Sequence, residues 1–276
     1  MAKKRKIKYK NLSIMIILLM IIIILITILL NKSKYQITSH NNIDNIPLHN
    51  YDIELLQNDN GLLSYPNATL GIDVSSHQGN IDFEKVKNDG IDFVFIRIGY
   101  RGYQSGNISL DEKFEENIIN AKKAGLKVGV YFFSQAINEK EAIDEANFVL
   151  KHLKKYQLDL PIAYDLEKID YDDNYRTKDL TAIEKSNIAL AFCGRIEHQD
   201  QNVIIYTNPD LAYNHYDINA LYNYDIWLAN YIPQFNYPYD FKYWQFSEHG
   251  KVDGIDIDVD LNLMFNYSIP FSNFYL

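Results

Sequence analysis

Pro161-Ile162-Ala163-Tyr164-Asp165-Leu166-Glu167 is an apolar run that ends in two carboxylates spaced i, i+2. On a β-strand that spacing turns both side chains to one face, about 6.5–7 Å apart along the backbone. Around this run, strand-like and helix-like segments alternate from residue 70 onward. The strand candidates are Leu70–Val74, Phe93–Ile98, Lys127–Phe133, Pro161–Tyr164, Asn202–Tyr206, Asp225–Ala229, Phe241–Phe246 and Ile257–Leu261. Helical periodicity marks Phe83–Asn88, Asp111–Ala124, Glu139–Tyr156 and Ala182–His198, and it fades after Tyr206. Repeated βα units predict a parallel sheet covered by helices. The acids decide between an open sheet and a closed barrel. Asp73 closes the first strand, Asp165 and Glu167 close the fourth, and Asp260 closes the last. In a barrel the first and last strands are neighbours, so all four acids point into one mouth at the C-terminal face.

Two carboxyl groups on a rigid strand end suit general-acid chemistry on a glycosidic bond: one must carry a proton for the leaving oxygen while its neighbour stays charged. Other motifs keep this pair company. Gly71-Ile72-Asp73-Val74-Ser75 lies upstream, and Trp227-Leu228-Ala229 and Val259-Asp260-Leu261-Asn262 follow downstream. With Asp165-x-Glu167, these four motifs resemble glycoside hydrolase family 25, the muramidase-type lysozymes that cut peptidoglycan. The resemblance covers residues 70 to about 265. It implies an α/β fold, a modified TIM-like barrel of about five βα units followed by three strands. It also implies hydrolysis of the β-1,4 bond between N-acetylmuramic acid and N-acetylglucosamine, with peptidoglycan glycan strands as the partner and Glu167 as general acid.

Neighbouring carboxylates and apolar walls are expected to raise the pKa of Glu167 and leave Asp165 charged. Asp165 then assists the substrate's N-acetyl group, attacks directly, or orients a water; the residues alone admit all three routes. Asp73 and Asp260 are expected to hold the sugar or tune the central pair. Tyr131, Tyr206 and Trp227 at strand ends, and Tyr100, Tyr231 and Trp244 nearby, are candidate sugar platforms, since flat rings stack on sugar faces. His77 reads as a turn or rim residue. Asp253, Asp256, Asp258 and Asp260 alternate as calcium ligands can, but the glycine-containing order of a calcium loop is missing, so no metal or cofactor is expected. A glycan-binding barrel with weak or no catalysis is the competing reading; the presence of all four acids counts against it.

The net charge of −9 hides an asymmetry: residues 1–34 hold eight Lys/Arg and no acid, leaving 19 basic against 36 acidic residues in the remainder. So acidic a body excludes nucleic acid, which requires a basic footprint. Residues 1–12 read as a basic cytoplasmic tail. Ser13–Leu30 is an uncharged apolar run that, at about 1.5 Å per residue, spans a bilayer core. With no small-residue cleavage pattern after it, it reads as a single transmembrane anchor with the catalytic domain outside the cell membrane; secretion after cleavage is the alternative. Residues 31–69 are polar and Asn-rich and read as a stalk, with a helical turn or two in Tyr51–Gln57, and the catalytic domain is expected over 70–276. The single cysteine, Cys193, falls in a helical run and is expected to be a buried apolar side chain.

Overall fold

A computed structural model describes residues 46–59, 61–169, 172–232 and 237–266. The basic tail, the Ser13–Leu30 anchor and the first part of the stalk lie outside the described residues. Among the described residues no helix is long and apolar enough to cross a membrane.

Eight strands close a barrel: β3 (Ala68–Val74), β4 (Phe93–Arg101), β6 (Lys127–Ser134), β7 (Ile162–Leu166), β8 (Val203–Thr207), β9 (Asp225–Ala229), β10 (Tyr243–Gly250) and β11 (Val259–Phe265). Neighbours from β3 through β10 run parallel, and β11 pairs antiparallel with both β10 and β3, which completes the ring. Helices α1 (Phe83–Asn88), α2 (Phe114–Lys123), α3 (Glu139–Leu153) and α4 (Ala182–Glu197) follow the first four strands. A π-turn at Leu211–His215 and the short α5 (Ile218–Leu221) follow the fifth. This is the expected sequence of five βα units and then three strands. Each crossover helix is signalled locally. Ala142, Ala146, Val149 and Leu153 form one buried stripe on α3 behind the Asn138 cap, and Thr181 and Glu184 form a reciprocal capping box on α4. Cys193 is buried and free on α4, as expected.

One strand direction differs from the reading by sequence. Asp260 does not close the last strand; it is the second residue of β11. It still reaches the mouth because β11 runs against the others, so its N-terminal end lies beside the C-terminal end of β3, with Asp260 directly opposite Asp73.

The barrel interior is aromatic: Phe93, Phe95, Ile204, Trp227, Tyr243 and Met264 fill it. Two glycines admit these rings. A Cβ on Gly71 would lie 2.4 Å from the Phe93 ring, and one on Gly129 would lie 2.4 Å from the Phe95 ring. A short strand β5 (Ile108–Leu110) pairs with the last residues of β4 and carries that strand above the rim.

The stalk reading changes from Ile46 onward, where a compact unit begins that includes the barrel. A single 3-10 turn, Ile53–Leu55, leads into the hairpin of β1 (Gln57–Asp59) and β2 (Leu62–Ser64). Ile46, Leu63 and Tyr65 are buried. Tyr51 stacks on Phe265 at 4.0 Å, and its hydroxyl donates to the Phe241 carbonyl at 2.6 Å. Phe265 ends β11 opposite Ala68, the first residue of β3. The arm therefore packs at the N-terminal end of the barrel, away from the acids. Its polar composition concealed this, since a few aromatic side chains do the packing.

Candidate active site

Alternation along each strand gives every second side chain to the barrel interior. Apolar side chains take the lower inward positions, and polar ones take the last before the mouth: Asp73 above Gly71, Arg97 above Phe95, Asp165 above Ala163, and Gln245 above Tyr243. Asp165 is paired on both sides, opposite Phe133 of β6 and Tyr206 of β8. Glu167 lies one residue beyond the end of β7. It lines a groove of about 710 Å³ together with Asp165, Tyr131, Tyr100, Arg97 and His77.

Asp73 is the hub of the buried network. The Gln245 amide donates to its Oδ2 at 2.9 Å and the Asn262 amide donates to the same oxygen at 2.7 Å. Each amide is oriented from behind. Trp227 Nε1 donates to Asn262 Oδ1 at 2.8 Å, while the hydroxyls of Tyr206 and Tyr231 donate to Gln245 Oε1 at 3.0 and 2.9 Å. Because those acceptor oxygens are occupied, both NH2 groups face Asp73. Burial raises the pKa of Asp73, and the amides of Gln245 and Asn262 draw it back toward the charged form. Asp260 hydrogen-bonds Asp73. Burial first, and then the Asp73 charge and that hydrogen bond, push its pKa up to about 9. Asp260 is thus the protonated donor of the pair at neutral pH.

The two acids of Asp165-x-Glu167 lie in different environments. Asp165 is buried, and its Oδ1 has no hydrogen-bond partner. Burial, then the charges of Glu167 and Asp73, push its pKa well above the ordinary range against the opposing pull of Arg97. Glu167 is half-buried at the groove. Asp165, expected to stay charged, is thus held toward its protonated form in the free protein, because the inward strand position takes the deeper burial.

The six candidate platforms divide. Tyr100 and Tyr131 line the groove. Tyr231 is exposed above Gln245. Tyr206 is 6% exposed and belongs to the barrel floor. Trp227 is 1% exposed, stacked on Phe95 at 4.6 Å, and Trp244 is 1% exposed with its Nε1 donating to the Asn230 carbonyl at 2.8 Å. Neither tryptophan offers a face to a sugar, which corrects both assignments. Arg97 went unread in the sequence, although it is the lone charge in the strand Phe93–Ile98. Its guanidinium pairs with the buried Asp111 at 2.8 Å, donates to Ser76 Oγ at 3.2 Å, and lies 5.5 Å from the Tyr100 ring centre.

Residues 72–255 match the model of glycosyl hydrolases family 25. The autolytic lysozyme of Clostridium acetobutylicum is 25% identical over 193 residues, which is 70% of this chain and 54% of that protein. Lysozyme M1 of Streptomyces globisporus is 26% identical over 208 residues, 70% of this chain and 66% of the relative. This chain thus spans about half the length of the Clostridium protein. Among solved structures, the modular autolysin LytC from Streptococcus pneumoniae matches with a TM-score of 0.66 at 23% identity, over 75% of this chain and 51% of that one. A family 25 glycosyl hydrolase from Bacillus anthracis matches at 0.60 and 24% identity, over 72% and 90%. These two structures attest the fold. With the family model spanning most of a barrel whose strand ends gather the acids of all the motif segments, the chain belongs to glycosyl hydrolases family 25.

Proposed function

We propose that this chain is a muramidase that hydrolyses the β-1,4 bond between N-acetylmuramic acid and N-acetylglucosamine in peptidoglycan. The observation that carries this reading is the convergence of Asp73, Asp165, Glu167 and Asp260 at one barrel mouth, where Asp165 and Glu167 line an open groove. Glu167, the more accessible of the central pair, is the general acid: it gives its proton to the glycosidic oxygen as the bond to the anomeric carbon breaks. Asp165 accepts the N–H of the substrate's acetamido group, whose carbonyl oxygen attacks the anomeric carbon. That hydrogen bond favours the charged form of Asp165 once substrate is bound. A water then opens the cyclic intermediate and returns a proton to Glu167. Tyr100 and Tyr131 offer ring surface along the groove, and Tyr231 does so above Gln245. The alternative, in which Asp165 orients a water for direct displacement, inverts the anomeric centre; NMR of the first-formed product distinguishes the two, because the acetamido route retains it.

Glu167→Gln in the full chain tests the assignment. Loss of the proton donor lowers the rate of cell-wall lysis by about 100- to 10,000-fold, with the melting temperature nearly unchanged. Wall lysis at the wild-type rate would overturn it. We also propose that Ser13–Leu30 tethers the enzyme to the cell membrane with the barrel outside. Its support is the uncharged apolar run behind a basic cluster. The protein should stay in the membrane pellet through an alkaline carbonate wash; a mature N-terminus beyond residue 30 would instead mean secretion.

A further inference from the structure

We infer that Gln135 is a positioning residue for Glu167, an inference that rests on the muramidase reading above. The two acids of the central pair are held by different means. Asp165 sits within the sheet, and its neighbours on β6 and β8 fix its backbone. Glu167 lies past the last paired residues on either side, Ser134 opposite Leu166 and Tyr206 opposite Asp165. Sheet pairing therefore stops before it reaches the general acid. A side chain takes over there. Gln135 directly follows β6 and is fully buried, and its Nε2 donates to the Glu167 carbonyl at 3.0 Å.

The direction of that amide is determined. Thr177, also buried, donates its hydroxyl to Gln135 Oε1 at 3.1 Å. A carbonyl can only accept, so rotating the amide would set two acceptor oxygens against each other at Glu167. The Gln135 backbone is fixed in turn, since Arg176 Nη1 donates to its carbonyl at 3.1 Å. The same guanidinium makes two bonds to the Glu141 carboxylate, at 2.9 and 2.8 Å, which ties the unit to α3. The Arg176 amide donates to the Tyr103 carbonyl at 2.9 Å, in a loop that lines the groove. One buried glutamine thus transmits the position of a helix and of a groove wall to the general acid. Loosening it moves Glu167 against a stationary Asp165, and their separation is the quantity on which the chemistry depends.

The test uses the full chain and soluble disaccharide-peptide oligomers from peptidoglycan. Gln135→Met keeps the volume and removes the donor. Thr177→Val keeps the donor and releases its orientation. Misplacing a catalytic group by about an ångström costs up to about 100-fold in rate. We expect Gln135→Met to lower kcat by about 10- to 100-fold with KM within about twofold, and Thr177→Val to lower it by a smaller factor, about three- to tenfold, both read well below their melting temperatures. A residue that acts through Glu167 has nothing left to act on once that acid is gone, so adding Gln135→Met to Glu167→Gln should cost no further activity. An unchanged kcat in Gln135→Met, a rise confined to KM, or a full additional loss in the double variant would each overturn the inference. If Gln135→Met does not fold, an unchanged kcat in Thr177→Val overturns it alone. Absence of cleavage by the wild-type chain would overturn the muramidase reading itself, which separates the two failures.

Discussion

Asp260→Asn should make this protein more stable, and increasingly so as the pH rises. In the fold, burial and the neighbouring Asp73 raise the pKa of Asp260 from the ordinary 3.8 to about 9. Between those values the unfolded chain has released a proton that the folded chain retains. The folded state then binds more protons than the unfolded one, so stability must fall as pH rises. Its contribution is intact below about pH 4 and is lost progressively up to about pH 9. Each unit of that interval costs about 1.4 kcal/mol, so at pH 7 the accumulated loss is on the order of 4 kcal/mol. Asparagine has no proton to lose and keeps an N–H donor for Asp73. The variant should therefore gain about 2–4 kcal/mol at pH 7, a rise in melting temperature of about 5–15 °C for a domain of this size. Thermal unfolding of both proteins at pH 5, 6, 7 and 8 checks the slope as well as the sign. Charges common to both proteins cancel in the difference, so the gap should widen by about 1 kcal/mol or more per pH unit. A gap that stays flat across that range, or a variant less stable than wild type at pH 8, would refute the protonated Asp260.

Other perturbations read other parts of the structure. Asp165→Asn removes a carboxyl crowded by Glu167 and Asp73 and should leave the barrel folded with a raised melting temperature while wall lysis falls by at least about 100-fold. Gly71→Ala places a Cβ 2.4 Å from the Phe93 ring inside the barrel and should destabilise it by about 1–3 kcal/mol; an unchanged urea midpoint would show that the ring yields freely. Tyr51→Ala loses both the stack on Phe265 and the bond to the Phe241 carbonyl. It should cost about 2–4 kcal/mol and leave kcat on soluble oligomers intact, because the arm packs at the end of the barrel remote from the acids.

Much of the fold was legible because the crossover helices carry apolar stripes, three of the four behind a side-chain cap, and each barrel strand is a short apolar run. The reversal of β11 was also within reach. Only the eight residues 251–258 separate β10 from β11, too few for the crossover that a parallel neighbour requires. The alternating acids in that segment drew attention away from its length. Trp227 and Trp244 were misread for a different reason. An aromatic residue near a strand end serves equally well as platform or as filling, and only the register reveals whether its ring lies at the acid layer or outside it. Trp227 proves to lie in the barrel filling against Phe95, and Trp244 alternates with the inward Gln245. Asn262 stood inside a quoted motif and Gln245 inside a strand candidate, both without a role, since a neutral amide gives no sign in sequence of what it will meet. Gln135 gave less still: it sits outside every strand, and its partners come from residues 167 and 177.

The aromatic floor and the acid layer form one device. Tyr206 lies edge-on to Trp227 at 5.0 Å, and Trp227 is stacked on Phe95. This surface excludes water from beneath the carboxyls, and burial is accordingly the first cause of every raised pKa among Asp73, Asp165 and Asp260. Burial alone would treat these acids alike. The floor also distinguishes them, because Trp227 and Tyr206 orient the Asn262 and Gln245 amides toward Asp73. Charge is thereby favoured on Asp73, and the proton of that pair stays on Asp260. The charge on Asp73 in turn helps to keep a proton on Asp165, beside the groove where Glu167 lies. The tryptophan that cannot stack on a sugar therefore still bears on the chemistry, through the single hydrogen bond by which it turns the Asn262 amide.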